Sequence, residues 1–410
     1  MRRLYYFTDS FPFSVDYTWK SAEVNEASKK FDEVIIVPFT YTKENKFSFA
    51  KNVHIVEPTL GKTLFAKPQY LKHLIASTQP KPWFREFFRA ITKGKQAIID
   101  WYLATIYSDI IVKKDIFKQL EKEKDQQEYS VLFFQWTMNN ALLVPLLRKW
   151  GYQNIICRMH GFDLYEFRHN NYIPYKADLL KNASICTFIS EHGRDYATQL
   201  YPFIKSKSKL HYLGAKEMGE NILDPDQKFH IVSVSRAVPL KRLGLIVEAL
   251  KLLKRPVKWT HIGDGYALEE VRKSAQEIEK FNVYCEVKFL GWLNPEAIRS
   301  YFSENGINAL ILVSETEGLP VVIMEAFSAS IPVIATDVGG VSELVNAENG
   351  ILLTSNPEAS EVADAIELLV DEPIEVQDTR RKTAFQSYSA SFDLKKNSKE
   401  FIGFLSEQCH

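Results

Sequence analysis

The strongest constraint on the fold is an alternation of short apolar runs with stretches of helical periodicity. In the second half of the chain such runs lie at residues 230–235, 257–263, 287–292, 308–314, 332–336 and 350–354. Strands that helices cover on both faces are apolar throughout, and repeated strand–helix–strand units build parallel sheets. The pattern predicts a doubly wound α/β domain over residues 228–387.

The first half of the chain has the same rhythm with one interruption. Apolar runs at residues 4–7, 34–38, 131–136, 155–160 and 183–190 predict a second doubly wound domain over residues 1–215. Residues 62–128 are helical, aromatic and basic in character, which indicates an insertion between two strands. A polar stretch at 217–228 separates the two domains, and a last helix is expected over residues 388–410.

The charges are unevenly distributed, although the formal net charge is zero. Residues 1–215 contain 31 Lys and Arg against 21 Asp and Glu, and the remaining residues contain 20 against 30. The first half is therefore expected to meet an anionic partner, such as a membrane surface or a phosphorylated acceptor. A chance imbalance on solvated faces is the alternative.

Cysteine spacing and the lengths of the apolar runs bear on the environment of the protein. The four cysteines lie far apart without a CxxC pair, which argues against a zinc site or a disulfide framework and favours a reducing cytoplasm. The apolar run at the beginning of the chain is too short for a signal peptide, and no run has the length of a membrane span.

The stretch ETEGLPVVIMEA contains the most informative loop of the sequence. It leaves the carboxyl end of the strand at 308–314, and Pro320 suits the first turn of the helix that follows. Gly318 allows the backbone to approach a ligand closely. The amides of Leu319 and Val321 point from the beginning of this helix toward whatever binds there, and they favour an anion.

Two glutamates flank this loop. Glu317 lies at the strand end and Glu325 in the second turn of the helix. A carboxylate beside a phosphate site can accept hydrogen bonds from hydroxyl groups, for which the paired hydroxyls of a ribose or hexose are natural partners. The neighbours of Glu325 are apolar, so its charge needs a partner, and we expect a ligand contact rather than an exposed helix position.

Two further strand ends carry polar side chains. Arg236 and Lys241 follow the strand at 230–235 and could hold a diphosphate, although solvated surface bases are the alternative. His160 follows the strand at 155–160 and precedes a glycine, which predicts an exposed imidazole able to donate to a sugar hydroxyl or a leaving phosphate. A structural histidine is the alternative there.

Taken together, these motifs resemble the retaining glycosyltransferases of family four (glycosyl transferases group 1). The similarity lies in EGLPVVIMEA, PVIATDVGG, SRAVPLKR and HGFD, and it is strong over residues 228–370 and looser over 130–215. The resemblance implies the GT-B fold, in which two Rossmann-like α/β domains face each other across a cleft. The first domain would bind the acceptor and the second the nucleotide sugar, and the last helix would pack back on the first domain.

The resemblance also implies roles on the donor side. Arg236 and Lys241 would bind the donor diphosphate and stabilise it as it leaves, and Glu325 would hold the ribose hydroxyls. Gly291 and Trp292 would lie near the base. The nucleotide sugar is a co-substrate, and neither a metal ion nor a further cofactor is expected.

On the sugar side, the resemblance assigns Glu317, with the amides of Leu319 and Val321 beside Gly318, to the transferred sugar and the phosphate. His160 would contact the same sugar from the first domain. Retention in this family is usually described as front-face attack within an ion pair, so Glu317 is not expected to be a nucleophile.

One loop departs from the family, and one short motif could suggest a metal site. The loop at residues 9–19 has no glycine where many members have a glycine pair, which puts the acceptor side in question. The single DxD sequence, Asp224-Pro225-Asp226, lies between the domains and is interpreted as a turn rather than a metal site.

Residues 81–95 predict a basic amphipathic helix within the insertion. Trp83, Phe84, Phe87, Phe88 and Ile91 fall on one helical face, and the basic residues at 85, 89 and 93 lie away from it. Such a helix could lie on an anionic membrane, and packing against its own domain is the alternative.

The leading hypothesis is a cytoplasmic bacterial glycosyltransferase, in contact with the inner face of the membrane, that builds surface or capsular polysaccharide or lipopolysaccharide on a glycan or lipid-linked acceptor. A GT-B epimerase or phosphorylase and a non-catalytic sugar-nucleotide or glycan-binding protein remain open. A dehydrogenase is disfavoured because no GxGxxG follows a strand; HIGDGYAL lacks the third glycine. No nucleic-acid partner is expected.

Overall fold

The structure is a computed structural model that describes residues 1–13, 18–41, 47–60, 83–224, 226–281 and 284–409. The chain divides into two units. Unit 1 comprises Met1–Tyr212 and Ser398–His410, and unit 2 comprises Leu213–Asn397.

Unit 1 is built on a seven-stranded parallel sheet in the order β3-β2-β1-β4-β5-β6-β7. The strands are β1 (Arg3–Thr8), β2 (Glu33–Pro38), β3 (Val53–Ile55), β4 (Ser130–Phe134), β5 (Ile155–Met159), β6 (Ile185–Phe188) and β7 (Ser208–Leu210). Successive side chains of a strand point to opposite faces. Tyr5 and Phe7 accordingly belong to one core cluster, whereas Leu4 and Tyr6 belong to another. Both faces of the central strands are therefore covered, and most of their positions are apolar.

The helices of unit 1 cover these faces. They are α1 (Thr18–Lys30), α2 (Trp83–Lys93), α3 (Lys95–Ile111), α4 (Asp115–Lys122), α5 (Val144–Lys149), α6 (Lys176–Asn182) and α7 (Glu191–Leu200). The beginning of α7 shows how the sequence sets such a boundary. The hydroxyl of Ser190 accepts from the amide of Gly193 over 3.0 Å and so replaces a bond that the first helical turn lacks.

Unit 2 is built on a six-stranded parallel sheet in the order β10-β9-β8-β11-β12-β13. The strands are β8 (Phe229–Val234), β9 (Val257–Ile262), β10 (Cys285–Gly291), β11 (Ala309–Leu312), β12 (Val333–Thr336) and β13 (Gly350–Leu353). The helices are α8 (Leu243–Leu252), α9 (Leu268–Phe281), α10 (Pro295–Glu304), α11 (Val321–Ser328), α12 (Ala359–Val370) and α13 (Ile374–Ser391). Helix α14 (Leu394–Ser406) begins in unit 2 and ends in unit 1, where Phe401 and Ile402 join the core cluster of Leu4 and Tyr6.

Every strand expected from the apolar runs is present, but β3 and β7 were not predicted. Each has three residues, lies at an edge of the sheet and is only partly buried, so its sequence has no continuous apolar run. Helices α2, α3 and α4 lie within the predicted insertion, of which residues 62–82 fall outside the described residues. No helix in the described ranges combines the length and the apolarity needed to cross a bilayer.

The stretch between the two predicted domains packs on unit 2. Met218 is buried, and the side chain of Asn221 both donates to the carbonyl of Ile307 and accepts from its amide, over 2.7 and 2.8 Å. Around the DxD sequence, Oδ1 of Asp224 accepts from the amide of Asp226 over 3.0 Å, a bond characteristic of an Asx turn. Pro225 itself lies outside the described residues.

Candidate functional site

The sheet of unit 2 changes direction between β8 and β11. Along the chain β8 is followed by β9 on one side, whereas β11 lies on the other side of β8 and is followed by β12. The connections that leave the carboxyl ends of β8 and β11 therefore run apart and open a crevice. Ligands of open parallel sheets bind at such a point.

An ion pair joins the two loops at this point. Lys241 ends the short turn Pro239–Lys241 after β8, and its Nζ lies 2.5 Å from Oε1 of Glu317, after β11. The two side chains are only 20% and 12% exposed, so each charge depends on the other. The amide of Glu315 donates to the carbonyl of Leu240 over 2.8 Å and holds the loops together. The structure thus brings two of the predicted site residues into direct contact.

Two arginines near Lys241 differ in their surroundings. Arg242 adopts a left-handed backbone conformation with φ of 49°, and its guanidinium donates to the carbonyls of Val313 and Ser314 over 2.6 and 2.9 Å. Arg242 was not among the predicted site residues. It ties the loop after β8 to the end of β11 and so positions Lys241. Arg236 is exposed, and its guanidinium has no hydrogen bond or ion pair to any residue that the structure describes.

Helix α11 begins in the same crevice. Pro320, expected in its first turn, is instead its N-cap residue, and no side chain caps the helix. The side chain of Leu319 is buried, whereas Val321 is half-buried. The beginning of α11 therefore presents backbone amides and the positive end of the helix dipole at the carboxyl edge of the sheet.

Glu325 lies one turn further along α11. Its neighbours Met324 and Ala326 are buried, as the sequence predicted, whereas Glu325 itself is half-exposed. Residues four apart share a face of a helix, so Glu325 lies on the face of Val321. The carboxylate is thus near the beginning of the helix without being enclosed in the core.

A glycine of the PVIATDVGG stretch holds the loop of Glu317. Gly339 has φ of +59°, and a Cβ atom there would lie 2.0 Å from the carbonyl oxygen of Glu317. The next amide, of Gly340, donates to the carbonyl of Gly318 over 2.9 Å. The loop after β12 therefore contacts the loop after β11 backbone to backbone, and only glycine fits at residue 339.

The HIGDG stretch has a similar role beside Arg236. Cβ atoms at Gly263 and Gly265 would lie 1.8 and 2.1 Å from the carbonyl oxygens of Ser235 and Ala237, so these glycines allow the loops after β8 and β9 to touch. Asp264, which sequence analysis missed, accepts from the amide of Trp292 over 2.9 Å.

The two residues predicted to lie near the base stand at the end of β10: Gly291 is its last residue, and Trp292 follows it. Gly291 has φ of +68°, which favours glycine, and it directs the chain into the loop. The ring of Trp292 is 55% exposed, so a planar ligand can reach it. Both stand at the carboxyl edge of the sheet of unit 2, beside Asp264.

In unit 1, His160 follows β5 but is not exposed, which corrects the expectation from the sequence. It is 6% exposed because its ring stacks on Trp136, with centroids 4.2 Å apart, and lies 5.6 Å from the ring of Trp19. Neither ring nitrogen has a hydrogen-bond partner among the described residues. Burial lowers the pKa of His160 to about 3, against the opposing charge of Asp163, so the imidazole is neutral.

Asp9 begins the loop that lacks glycine, of which residues 14–17 lie outside the described residues. Its Oδ1 accepts from the side-chain amide of Asn139 over 2.8 Å, across β1 and β4, where the sheet of unit 1 changes direction. Burial raises the pKa of the Asp9 carboxyl, and the charge of Lys20 opposes the increase.

Helix α2 contradicts part of the predicted amphipathic pattern. Phe87 packs inward on Trp101 with centroids 4.7 Å apart, and Arg89 turns inward to Glu86 and Glu166, 3.7 and 3.5 Å away. By contrast, the side chains at 84, 88 and 91 are exposed by 59, 64 and 46%. Part of the aromatic face thus packs on its own domain, through Phe87, and part of it is exposed. Residues 81–82 and the side chain at 83 lie outside the described residues.

Within the described ranges, no three His, Cys, Asp or Glu side chains are grouped in a way that could hold a metal ion. Metal independence stays a prediction.

The chain is similar in sequence to one family model and to several known glycosyltransferases. Residues 216–387 match the family model described as glycosyl transferases group 1. The chain is 26% identical over 259 residues to the GDP-mannose-dependent alpha-(1-6)-phosphatidylinositol monomannoside mannosyltransferase of Mycobacterium tuberculosis (strain CDC 1551 / Oshkosh), covering 56% of this chain and 64% of that protein. It is 32% identical over 127 residues to the O-antigen biosynthesis glycosyltransferase WbnH of Escherichia coli, covering 31% and 33%. The matched regions span less than two thirds of the length of these relatives.

Among solved structures, the chain is similar to HepE from Anabaena in complex with UDP, with a TM-score of 0.65 and 17% identity over 99% of this chain and 100% of that one. At this identity the likeness concerns the fold alone, and it confirms the predicted GT-B fold.

Proposed function

Because residues 216–387 match the family model described as glycosyl transferases group 1, we propose that the chain is a retaining, metal-independent glycosyltransferase. It would move a sugar from a nucleotide-sugar donor to a glycan or lipid-linked acceptor in the synthesis of surface or capsular polysaccharide or lipopolysaccharide. The observation that carries this proposal is the contact of Lys241 with Glu317 where the sheet of unit 2 changes direction. The names of the O-antigen and phosphatidylinositol mannoside relatives support the class of product.

The proposed chemistry depends on charge at the leaving group. When the bond between the anomeric carbon and the donor phosphate oxygen breaks, negative charge develops on the nucleoside diphosphate. Arg236 and Lys241 would neutralise it, and the beginning of α11 would add the positive end of its dipole. Lys241 is held in advance by Glu317, and a cation fixed in this way lowers the barrier because it needs no rearrangement as the charge forms. In this scheme side chains supply the positive charge, without a metal ion.

Glu317 is proposed to bind the transferred sugar rather than to attack it. Its carboxylate is already paired with the Lys241 ammonium, which weakens it as a nucleophile but leaves lone pairs for sugar hydroxyls. Glu325 would accept hydrogen bonds from the ribose hydroxyls, and the exposed ring of Trp292 would stack on the base next to Gly291.

His160 is proposed to contact the same sugar from unit 1. A neutral imidazole donates through one ring nitrogen and accepts through the other, so it can bind a hydroxyl in both senses. Both nitrogens are buried without a partner among the described residues, and a buried polar atom of this kind calls for a ligand.

Contact with an anionic membrane is proposed for α2. Phe84, Phe88 and Ile91 form an exposed apolar stripe with the spacing i, i+4, i+7, and the exposed bases Arg85 and Lys93 flank it. An apolar stripe beside basic residues inserts into the headgroup region of anionic lipid. The proposed location is the cytoplasmic face of a bacterial membrane.

The test of the donor site uses UDP, GDP and ADP with their sugars, in EDTA. One of the three nucleotides should raise the melting temperature of the wild type, because a bound ligand stabilises the folded state. Glu325→Ala should abolish that rise. Lys241→Ala should lower the rate of nucleoside diphosphate release about 100-fold. The matched control is Lys251→Ala, because Lys251 forms a similar pair with Glu248, at 2.7 Å, on the surface of α8.

The products distinguish the alternatives. A sugar transferred with its anomeric configuration kept supports the proposal, whereas an epimerised sugar or a sugar phosphate would indicate an epimerase or a phosphorylase. Nucleotide binding without turnover on a range of acceptors would favour a binding protein. Equal effects of Lys241→Ala and Lys251→Ala would contradict the assigned role of Lys241.

A further inference from the structure

Unit 1 contains a cavity of about 260 Å³ between α3 and the loops that follow β4 and β5. We call it the α3 cavity. Its walls are mainly apolar and include Leu103, Ala104, Met138, Leu142 and Ile173. An enclosure of this kind is suited to a small apolar group.

The polar groups of the α3 cavity are already engaged by the protein. The side-chain amide of Asn139 donates to Asp9 over 2.8 Å, and Asp100 accepts from Gln96 over 2.9 Å. The hydroxyl of Thr137, another wall residue, donates to Asp163 over 2.7 Å. The amide of Asn139 and the hydroxyl of Thr137 are thus used within the protein, whereas the carboxylate of Asp100 keeps further acceptor sites. Because most of the remaining wall is apolar, the cavity favours a hydrocarbon over a second sugar.

His169, another wall residue of the cavity, also has a partner within the protein. Its Nε2 lies 2.6 Å from the carbonyl oxygen of Phe162, so this ring nitrogen is occupied within the loop after β5. The ring of Phe162 is 56% exposed and stands edge-on to His169, which extends the apolar wall toward solvent.

One side of the α3 cavity adjoins the carboxyl edge of the sheet. Met138 and Asn139 also line a small pocket with Asp9, at the point where the sheet of unit 1 changes direction. A polar head bound at this edge would have the apolar walls directly beside it.

The other side of the cavity adjoins the exposed helix. Ala104 and Tyr172 of the cavity wall belong to the same core cluster as Ala90 of α2. The α3 cavity therefore adjoins the helix that exposes Phe88 as well as the sheet edge. A molecule with a polar head and an apolar chain matches this order.

We propose that the α3 cavity binds the first apolar segment of an amphiphilic acceptor, whose polar head lies at the carboxyl edge of the sheet of unit 1. The inference rests on the proposed function and selects a lipid-linked acceptor over a free glycan.

The test measures binding of alkyl β-D-glucosides, from butyl to decyl, to the full chain by calorimetry below their critical micelle concentrations. Affinity should rise about fourfold for each added methylene, the ratio that corresponds to ~0.8 kcal/mol, and should level off once the cavity is full. A rise that continues through the longest chains would indicate association with an open surface, and equal affinities for butyl and octyl glucoside would overturn the inference.

Two variants locate the binding. Leu103→Trp fills the α3 cavity and should lower the affinity for octyl glucoside at least tenfold, whereas Ile110→Trp changes a half-buried residue of the same helix outside the cavity and should not. Equal effects of the two would contradict the assignment. If the chain-length effect is missing while nucleotides still raise the melting temperature, this inference falls and the proposed function stands; loss of the nucleotide response in the wild type would instead count against the proposed function.

Discussion

Replacement of Gly339 by alanine tests whether the loop after β12 sets the position of Glu317. The added methyl group would lie 2.0 Å from the carbonyl oxygen of Glu317, which is backbone and cannot rotate away. Carbon–oxygen contacts of this type stay above about 3 Å, so one loop must move by roughly 1 Å. Because Glu317 pairs with Lys241, the movement reaches the charge that the proposal assigns to the leaving group.

The expected magnitudes have two parts. An L-residue in the left-handed region costs roughly 1–2 kcal/mol, so the φ of +59° alone should lower the free energy of unfolding by about that amount. A displacement of about 1 Å near reacting atoms can cost about 100-fold in rate. We therefore expect a modest loss of stability with a large loss of kcat/KM for donor cleavage.

Substitutions at two other glycines of unit 2 serve as controls that separate the effect of backbone strain from that of a displaced loop. Gly219 has φ of +98°, but a Cβ there meets only Cβ of Ser303, at 3.6 Å, so Gly219→Ala carries strain without a clash. Gly244 has no atom within 4 Å and lies in α8, where alanine should stabilise the helix by up to about 1 kcal/mol. Denaturant unfolding gives the stability of each variant, and release of nucleoside diphosphate gives its rate.

The role assigned to Gly339 is wrong if Gly339→Ala loses no more activity than Gly219→Ala at a comparable loss of stability. It is also wrong if Gly339→Ala keeps the full nucleotide-dependent rise in melting temperature together with wild-type kcat/KM. Either result would mean that the contact between the loops does not set the geometry of the site.

Three further results are expected. His160 has a pKa of about 3 when folded against about 6.5 when unfolded, so the free energy of unfolding should fall as the pH drops from about 6.5 toward 4, and His160→Gln should reduce this fall in urea titrations. Glu23→Gln should lower the free energy of unfolding by about 3–5 kcal/mol, because it leaves the buried guanidinium of Arg158, 2.7 Å away, without its counter-charge. Phe88→Ser should reduce flotation with anionic vesicles at low salt, whereas Leu252→Ser, an exposed apolar position of unit 2, should leave flotation unchanged.

Much of the fold could be predicted because its strands are buried on both faces. The run of β11 is apolar at every position and that of β4 at every position after Ser130, as expected for strands that helices cover on both faces. The short edge strands β3 and β7 escaped prediction, since their partial exposure removes the apolar signal. Their pairing depends on the neighbouring strand rather than on their own composition.

The candidate site was only partly predictable. Glu317 and Lys241 were expected at one sheet edge because each follows a strand, but their pairing at 2.5 Å depends on the order of β8 and β11. Arg242 and Asp264 looked like ordinary loop residues, since nothing in their local sequence shows which carbonyl or amide they meet.

His160 and α2 show why local patterns failed. A histidine before a glycine looks like an exposed loop residue, yet the rings of Trp136 and Trp19 enclose it from elements distant in sequence. In α2, helical periodicity identified one aromatic face, but Phe87 is half-buried against Trp101 whereas Phe88 is exposed.

The sequence by itself determined the two parallel sheets, the helices between their strands and the strand ends where polar side chains gather, because burial and periodicity are local properties of the chain. Only the tertiary structure decided which strand ends meet, which glycines let two backbones touch and which charges pair. Those contacts join segments far apart in the chain, as the approach of Gly339 to Glu317 shows, and their geometry depends on strand order rather than on any single motif.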